Sequence, residues 1–405
     1  MNRRNFLLTA FAPAAALVQA RRAEAALATM KIARIRYYHA PVTRPMINQS
    51  MHIVAVETDQ GITGIGEGGS KDTIQECAGM LIGENPSRID HLWQLMYRGY
   101  FYPAGREKIH SLGALDLALW DIKGKALGVP VYELLGGQAR DHVECYSTGY
   151  PSQGTLRETA RACVEAGFRA FRTSVADPGK ERPFGARAMV RKTAENCREI
   201  REGVGNTGDW AIDYHTRLDF PDAVRLSSLI EDLEPYFVED LVRSENPAVY
   251  RTLRPQVKVP IAVGEQFADK WNINELVEQH LIDYSRVSIP NCGGVTEFMK
   301  IAALCETHYV GLVPHFTGPL AEAALVHCCS VFPGPVLMEM TGAGPREAPH
   351  LPQNFDFKNG KMWPNARPGL GVEFDPSRAQ LALEVTQRST PLPLFHRPDG
   401  SLTNW

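Results

Sequence analysis

Apolar and polar positions change their period near residue 143. Before it, residues 31–67 alternate and turn back as a small antiparallel sheet does. Met51-His52-Ile53-Val54-Ala55-Val56-Glu57-Thr58 predicts a strand, Asp59-Gln60-Gly61 a turn, and Thr63-Gly64-Ile65-Gly66-Glu67 the return strand. Helical spacing follows. Leu112, Leu115, Leu119 and Ile122 predict a helix over Ser111 to Leu127, ended by Gly128-Val129-Pro130. These elements make an α+β lobe over residues 29–142.

Beyond that point short apolar runs alternate with amphipathic segments such as Val295 to His308. The candidate strands are Val143–Ser147, Ala170–Val175, Trp210–Tyr214, Tyr236–Val238, Ile261–Val263, Ser285–Ile289, Val310–Pro314 and Val336–Met338. Eight such units predict a (β/α)8 barrel of the TIM type over residues 143–345, capped by the α+β lobe. An open doubly wound sheet is the rival, but no Gly-rich phosphate loop follows the first strand. The Pro- and Gly-rich stretch 346–405 is expected to return to the capping lobe.

The first residues obey neither period. Arg3-Arg4 precede the apolar run from Phe6 to Val18, and Val18-Gln19-Ala20 and Ala23-Glu24-Ala25 offer small-residue cleavage sites. Residues 1–28 therefore predict a twin-arginine export signal and a periplasmic location, or a cytoplasmic one if the leader does not function. The run is too short to span a bilayer with confidence, so no stable membrane insertion is expected once it is removed.

Charge removes one class of partner. The 43 Lys+Arg nearly balance 46 Asp+Glu, and no recognition motif is present, so nucleic acid is not expected. The eight cysteines lack zinc spacing and fall mostly in apolar stretches, where buried thiols without a required bridge are expected.

The chemistry is positional. Asp213 follows Trp210-Ala211-Ile212, Glu239 follows Tyr236-Phe237-Val238, and Glu265 follows Ile261-Ala262-Val263-Gly264, at intervals of 26 and 26 residues. Each acid ends a successive strand at the barrel face where such enzymes place their chemistry. Three carboxylates gathered there repel one another unless a hard cation neutralises them, and Mg2+, with Mn2+ as a substitute, suits oxygen ligands. Such a cation would stabilise the charge formed when the carbon beside a substrate carboxylate loses its proton. Asp240 is expected to face elsewhere, toward a basic partner. His215, two residues past Asp213, would face the same way if the strand persists. His315 ends the seventh strand and suits proton transfer. Arg172 ends the second strand, placed to neutralise a substrate oxygen or tune a base. Glu339 ends the eighth, as a substrate or network residue.

With these residues in place the chain resembles the enolase superfamily in its mandelate racemase/muconate lactonizing branch, over nearly everything after the leader. Ser111-Leu112-Gly113-Ala114-Leu115-Asp116-Leu117-Ala118-Leu119-Trp120-Asp121-Ile122-Lys123-Gly124-Lys125 and Leu134-Leu135-Gly136-Gly137 look typical of its capping domain. The resemblance implies metal ligation by Asp213, Glu239 and Glu265. Within the branch the likeness is to sugar-acid dehydratases of the galactonate and mannonate kinds. It rests on Asp213-Tyr214-His215-Thr216-Arg217-Leu218, Trp271, Gly293-Gly294-Val295-Thr296 and Leu337-Met338-Glu339. It implies a general acid at His215 and a homo-oligomer.

Three departures matter. Arg172-Thr173-Ser174 replaces the Lys-x-Lys of the family's racemases, which argues against a two-base racemisation. The aspartate that backs the seventh-strand histidine in galactonate-type enzymes falls on Ser288, so His315 is expected to be less basic and less firmly oriented. The base tyrosine of mannonate-type enzymes is missing between Thr173 and Arg191, where Phe184 stands. The expected reaction is loss of water from a sugar acid, giving a 2-keto-3-deoxy acid, with His315 as base. A racemase, epimerase or cycloisomerase, or a low-activity sugar-acid-binding homologue, are the alternatives. Asn48, Gln49, Tyr102 and Arg106 are candidate substrate contacts from the capping lobe.

Overall fold

The structure is a computed structural model. It describes residues 27–41, 49–99, 101–179, 182–315, 318–344, 348–352, 356–389 and 394–403. Nearly all of the leader, and Asn48, lie outside the described residues.

The capping domain is built on β1 (Ile32–His39), β2 (Ile53–Thr58) and β3 (Thr63–Glu67), paired antiparallel. Its helices are α1 (Lys71–Leu81), α2 (Ile89–Arg98) and α3 (Arg106–Leu127). β2 shows why its apolar run is nearly continuous. Val54 and Val56 join Ile35 and Tyr37 in a core with the three helices, whereas Ile53 and Ala55 face the barrel core. A sheet covered on both sides needs apolar residues at every position. α3 begins earlier than its apolar spacing suggests and stops where Gly128, at φ 71°, donates its N–H to Gly124 and Lys125 carbonyls.

α3 also ties the two domains together. Asp116 accepts hydrogen bonds from the Thr296 amide at 3.0 Å and its hydroxyl at 2.5 Å. Trp93 Nε1 donates to the Gly293 carbonyl at 2.8 Å. Gly294 permits this approach, because a Cβ there would stand 2.4 Å from Asp116 Oδ2.

The barrel strands are β4 (Val143–Thr148), β5 (Ala170–Ser174), β6 (Asp209–Asp213), β7 (Phe237–Glu239), β8 (Ile261–Val263), β9 (Tyr284–Ser285), β10 (Gly311–Leu312) and β11 (Met338–Thr341). They pair in parallel in chain order, and β11 returns to pair with β4. The join between β10 and β11 is thin: one parallel bridge, Leu312 to Val336, with Leu337 N donating to Leu312 O at 3.0 Å. Helices α4 (Leu156–Glu165), α5 (Ala186–Val204), α6 (Phe220–Leu229), α7 (Lys270–Glu278), α8 (Val295–Thr307) and α9 (Pro319–Val331) surround the strands. After β7 the crossover shrinks to short helical turns.

Two strands sit off their expected places. The sixth was expected over Ser285–Ile289 and the eighth over Val336–Met338. Val287 and Ile289 are buried without belonging to the ladder strands, so the apolar signal there marks burial rather than pairing, and Val336 keeps only its isolated bridge to Leu312. The C-terminal stretch also divides. β12 (Asp356–Lys358) and β13 (Lys361–Trp363) form a hairpin whose second strand pairs antiparallel with the start of β4. β14 (Gln380–Val385) returns to the capping sheet, against β1, and Leu402 is buried in the capping core. All eight cysteines are free and buried. No helix among the described residues is long and apolar enough to cross a membrane.

Candidate active site

The barrel interior is stacked in two layers, and the two-residue period of a strand relates them. The lower layer is apolar: Tyr146, Ala170, Ala211, Phe237, Ala262, Val313 and Leu337, with Tyr284 packed against them. Two residues further along each strand or its end stand Thr148, Arg172, Asp213, Glu239, Gly264, Arg286, His315 and Glu339. Every inward residue above the apolar floor is thus polar or glycine. The exception explains itself. A Cβ at Gly264 would lie 2.5 Å from the backbone carbon of Arg286, so glycine lets the chain pass and Glu265 becomes the acid at the end of β8.

Two guanidinium groups lace the upper layer. Arg172 Nη1 lies 2.8 Å from Glu239 Oε2 and 3.1 Å from Asp213 Oδ2, and its Nη2 lies 3.5 Å from Glu339 Oε1. Its Nε donates to Thr148 Oγ1 at 3.0 Å. Arg286, wholly buried, sets Nε against Glu239 Oε1 and Nη2 2.7 Å from Glu339 Oε2 and 3.4 Å from Glu265 Oε2. Its Nη1 donates to Tyr146 Oη at 2.5 Å and to the Val313 carbonyl at 3.3 Å. Arg172, Glu239, Arg286 and Glu339 therefore close a ring of alternating charge. Arg172 spends its fork on carboxylates and is not turned to open space for a substrate. Burial works against the charge of Glu339, but both arginines outweigh it and hold the carboxyl at about 2.

Asp240 and Glu265 are less well compensated. Burial raises Asp240 well above the ordinary carboxylate range, and the charges of Glu265, Glu239 and Asp213 push it further. Burial likewise raises Glu265 in spite of Arg286. Asp240 does not face a basic partner, contrary to the expectation. Its backbone sits at φ 45°, it receives Gln266 Nε2 at 3.2 Å, and its carboxylate joins those of Glu239 and Glu265. The left-handed turn after Glu239 swings Asp240 back toward the acids.

The expected ligands do not all converge. Ligand atoms of Glu239, Asp240 and Glu265 lie within 4.8 Å of one another. Asp213 is turned to its neighbours: Oδ1 accepts the His215 amide at 2.6 Å, and Oδ2 lies 3.0 Å from His215 Nδ1. Burial opposes its charge, but Arg172 and His215 hold its pKa below the ordinary range. The donor set fits a hard divalent cation. It is made of oxygens, and five carboxylates gather around only two guanidinium groups.

The two histidines flank Glu265. β6 ends at Asp213 and does not persist to His215, whose backbone turns to φ 48°. The imidazole is placed instead by its bond to Asp213, which raises its pKa against the effect of burial. His215 Nδ1 lies 4.0 Å from Glu265 Oε1, and His315 Nε2 lies 3.7 Å from Glu265 Oε2. Each oxygen of one carboxylate thus faces one histidine. Ser288 Oγ lies 2.5 Å from His315 Nδ1, so the loss of a carboxylate partner has not left the ring unheld. Burial pushes His315 down to about 4.

Of the expected capping-lobe contacts, Arg106 reaches across the domains and donates to Ser244 Oγ at 2.8 Å. Tyr102 and Phe184 are exposed. Arg286 is the residue that reading from the sequence missed. Its signal was the step from Tyr284 to Arg286, in phase with Leu337 to Glu339 and Phe237 to Glu239.

Comparison with known proteins identifies the family. The profile described as "Enolase C-terminal domain-like" matches residues 155–378, and that of the mandelate racemase/muconate lactonizing enzyme N-terminal domain matches residues 25–136. A D-galactonate dehydratase of Xanthomonas oryzae is 35% identical over 394 residues, covering 93% of this chain and all of that protein. One from Pectobacterium atrosepticum is 32% identical over 398 residues, with the same coverage. The crystal structure of an enolase from Agrobacterium radiobacter, bound to Na and L-malate, superposes with a TM-score of 0.76 at 28% identity, covering 92% of this chain and 99% of that one. The chain belongs to the mandelate racemase/muconate lactonizing enzyme branch of the enolase superfamily.

Proposed function

We propose that the protein dehydrates a sugar acid, taking an aldonate to a 2-keto-3-deoxy acid with the help of a divalent cation. It is an enzyme of the hydro-lyase kind, and the relatives named D-galactonate dehydratase support that class of substrate. The observation that carries the reading is Glu265 between His215 and His315: a proton acceptor and a proton donor flank one carboxylate centre.

Glu239 and Glu265 would hold the cation, with Asp213 as third ligand by the family's pattern or Asp240 by proximity. When bound, a cation such as Mg2+ stabilises the negative charge that a substrate carboxylate gains as its neighbouring carbon is deprotonated. His315, kept neutral by burial and with Nδ1 held by Ser288, takes the C2 proton on Nε2. The electron pair of that C–H bond first passes onto the substrate carboxylate, then returns to form the C2–C3 double bond as the C3–O bond breaks. His215, whose hold on a proton is strengthened by its bond to Asp213, gives that proton to the departing hydroxyl, which leaves as water. The resulting enol ketonises at C2 and gains a proton at C3. Ser174, where the family's racemases carry a basic lysine, offers no second base for inversion at C2.

The test is a screen of C5 and C6 sugar acids with Mg2+, detecting 2-keto-3-deoxy products against a chelated control. Metal-dependent product from one acid supports the reading. No product from any acid, with metal bound, points to another deprotonation reaction or to a binding role.

A further inference from the structure

We propose that Arg286 sets how tightly this centre holds its divalent cation, as an internal counter-charge that competes for Glu239 and Glu265. The inference rests on the metal-dependent reading above.

Both oxygens of Glu239 face a guanidinium group, Oε2 accepting a hydrogen bond from Arg172 and Oε1 in ion-pair contact with Arg286 Nε without a hydrogen bond. Arg286 also reaches Glu265, the other acid common to both candidate ligand sets. No exposed surface lets the guanidinium swing away: the side chain is wholly buried, and Tyr146, the Val313 carbonyl and Glu339 fix its far end. A cation that takes Glu239 Oε1 must therefore share it with a fixed positive charge. Two like charges on one carboxylate repel strongly where water is excluded.

The arrangement has two effects. The acids stay gathered without a cation, because the ring of Arg172, Glu239, Arg286 and Glu339 balances its own charge. The cation then binds less tightly than three unpaired carboxylates would bind it. Arg172 contributes differently, since beyond Glu239 it reaches Asp213, Glu339 and Thr148 and not Glu265. Arg286 touches no open part of the site. It is a positioning residue that acts on ligand acids.

The test is Mn2+ titration of the chelator-treated full chain, with free Mn2+ followed by electron paramagnetic resonance and the melting temperature measured with and without Mn2+. Arg286→Gln removes the charge and is expected to lower the Kd for Mn2+ by roughly tenfold or more and to enlarge the shift in melting temperature. Arg286→Lys keeps the charge and is expected to stay within about threefold of the parent. A merely structural role predicts the reverse, weaker binding in both. A folded Arg286→Gln protein with unchanged or weaker Mn2+ binding overturns the inference. If that variant does not fold, Glu339→Gln decides. It turns both guanidinium groups onto the remaining acids and should weaken binding by about threefold or more, and an unchanged Kd overturns the inference. Absence of Mn2+ binding by the parent protein overturns the metal-dependent reading itself, and this inference with it.

Discussion

Ser288 Oγ lies 2.5 Å from Nδ1 of His315, at the position where the family resemblance placed an aspartate. A hydroxyl can accept the Nδ1 proton and so leave Nε2 facing the acids, but it adds no negative charge to raise the basicity of the ring. Orientation and basicity, which one carboxylate would supply together, are separated here. Ser288→Asp should restore the second. An adjacent negative charge raises an imidazole pKa by roughly one to three units. His315 must be neutral to act, so the acidic limb of the kcat/KM profile should move to higher pH, and the rate above that limb should rise. A limb that stays in place would separate Ser288 from the base.

His215 is expected to act after the C2 proton has left. His215→Asn keeps a polar group beside Asp213 but has no proton of suitable acidity to give. Dehydration should fall by about 10²–10⁴-fold, the usual range for loss of a general acid. Exchange of the C2 proton with deuterated solvent should persist, because His315 is untouched. Dehydration at the parent rate would remove His215 from the reaction.

The third cation ligand can be assigned by a pair of variants. Asp240 shares the 4.8 Å cluster with Glu239 and Glu265, whereas Asp213 is bonded to His215 and close to Arg172. If proximity decides, Asp240→Asn should weaken Mn2+ binding by about 10–100-fold, with a smaller effect from Asp213→Asn. The opposite order would show that Asp213 leaves His215 when a cation binds. Calorimetric titration of each variant reads this without any substrate.

Asp116 gives the molecule a pH dependence away from the site. Burial lifts its carboxyl to about 7, outweighing the hydrogen bonds from Thr296. The folded value lies above the unfolded value of about 3.9, so the folded state favours the protonated form. That share of stability is whole below the unfolded value and is lost as pH rises toward 7. Between about pH 5 and pH 7 the loss is about 2 kcal/mol. Asp116→Asn cannot titrate, so its stability to urea should change less over that window. Parallel slopes for parent and variant would discount the role of Asp116.

The parts of the site that could be read from the chain were those with a repeating position. Asp213, Glu239 and Glu265 recur once per βα unit, and His315 and Glu339 close their own strands, so their arrival at one face follows from topology. Three things did not follow. Asp240 adjoins an acid in sequence, and only a left-handed turn brings it back to the same cluster. Arg286 lies inside an apolar run that was read for burial, and its long side chain reaches other strands that sequence distance hides. The alignment of His215 with Asp213 was conditional on a strand that in fact stops at Asp213, and a turn and a side-chain bond do the placing. Backbone turns and long-range side-chain contacts leave little periodic trace.

The join between β10 and β11 has one backbone bridge, yet Arg286 holds both of its sides, donating to the Val313 carbonyl on one and to Glu339 on the other. Where the hydrogen-bonded ladder is shortest, a side chain from the neighbouring strand acts as a clasp. A clasp made of buried charge responds to its surroundings differently from a ladder. Added salt barely reaches it, because screening acts through solvent. Acid does reach it, because protonating Glu339 removes one jaw. The barrel should therefore loosen from this slit first as pH falls, and hydrogen exchange along Val336 to Thr341 should quicken ahead of the rest of the strands.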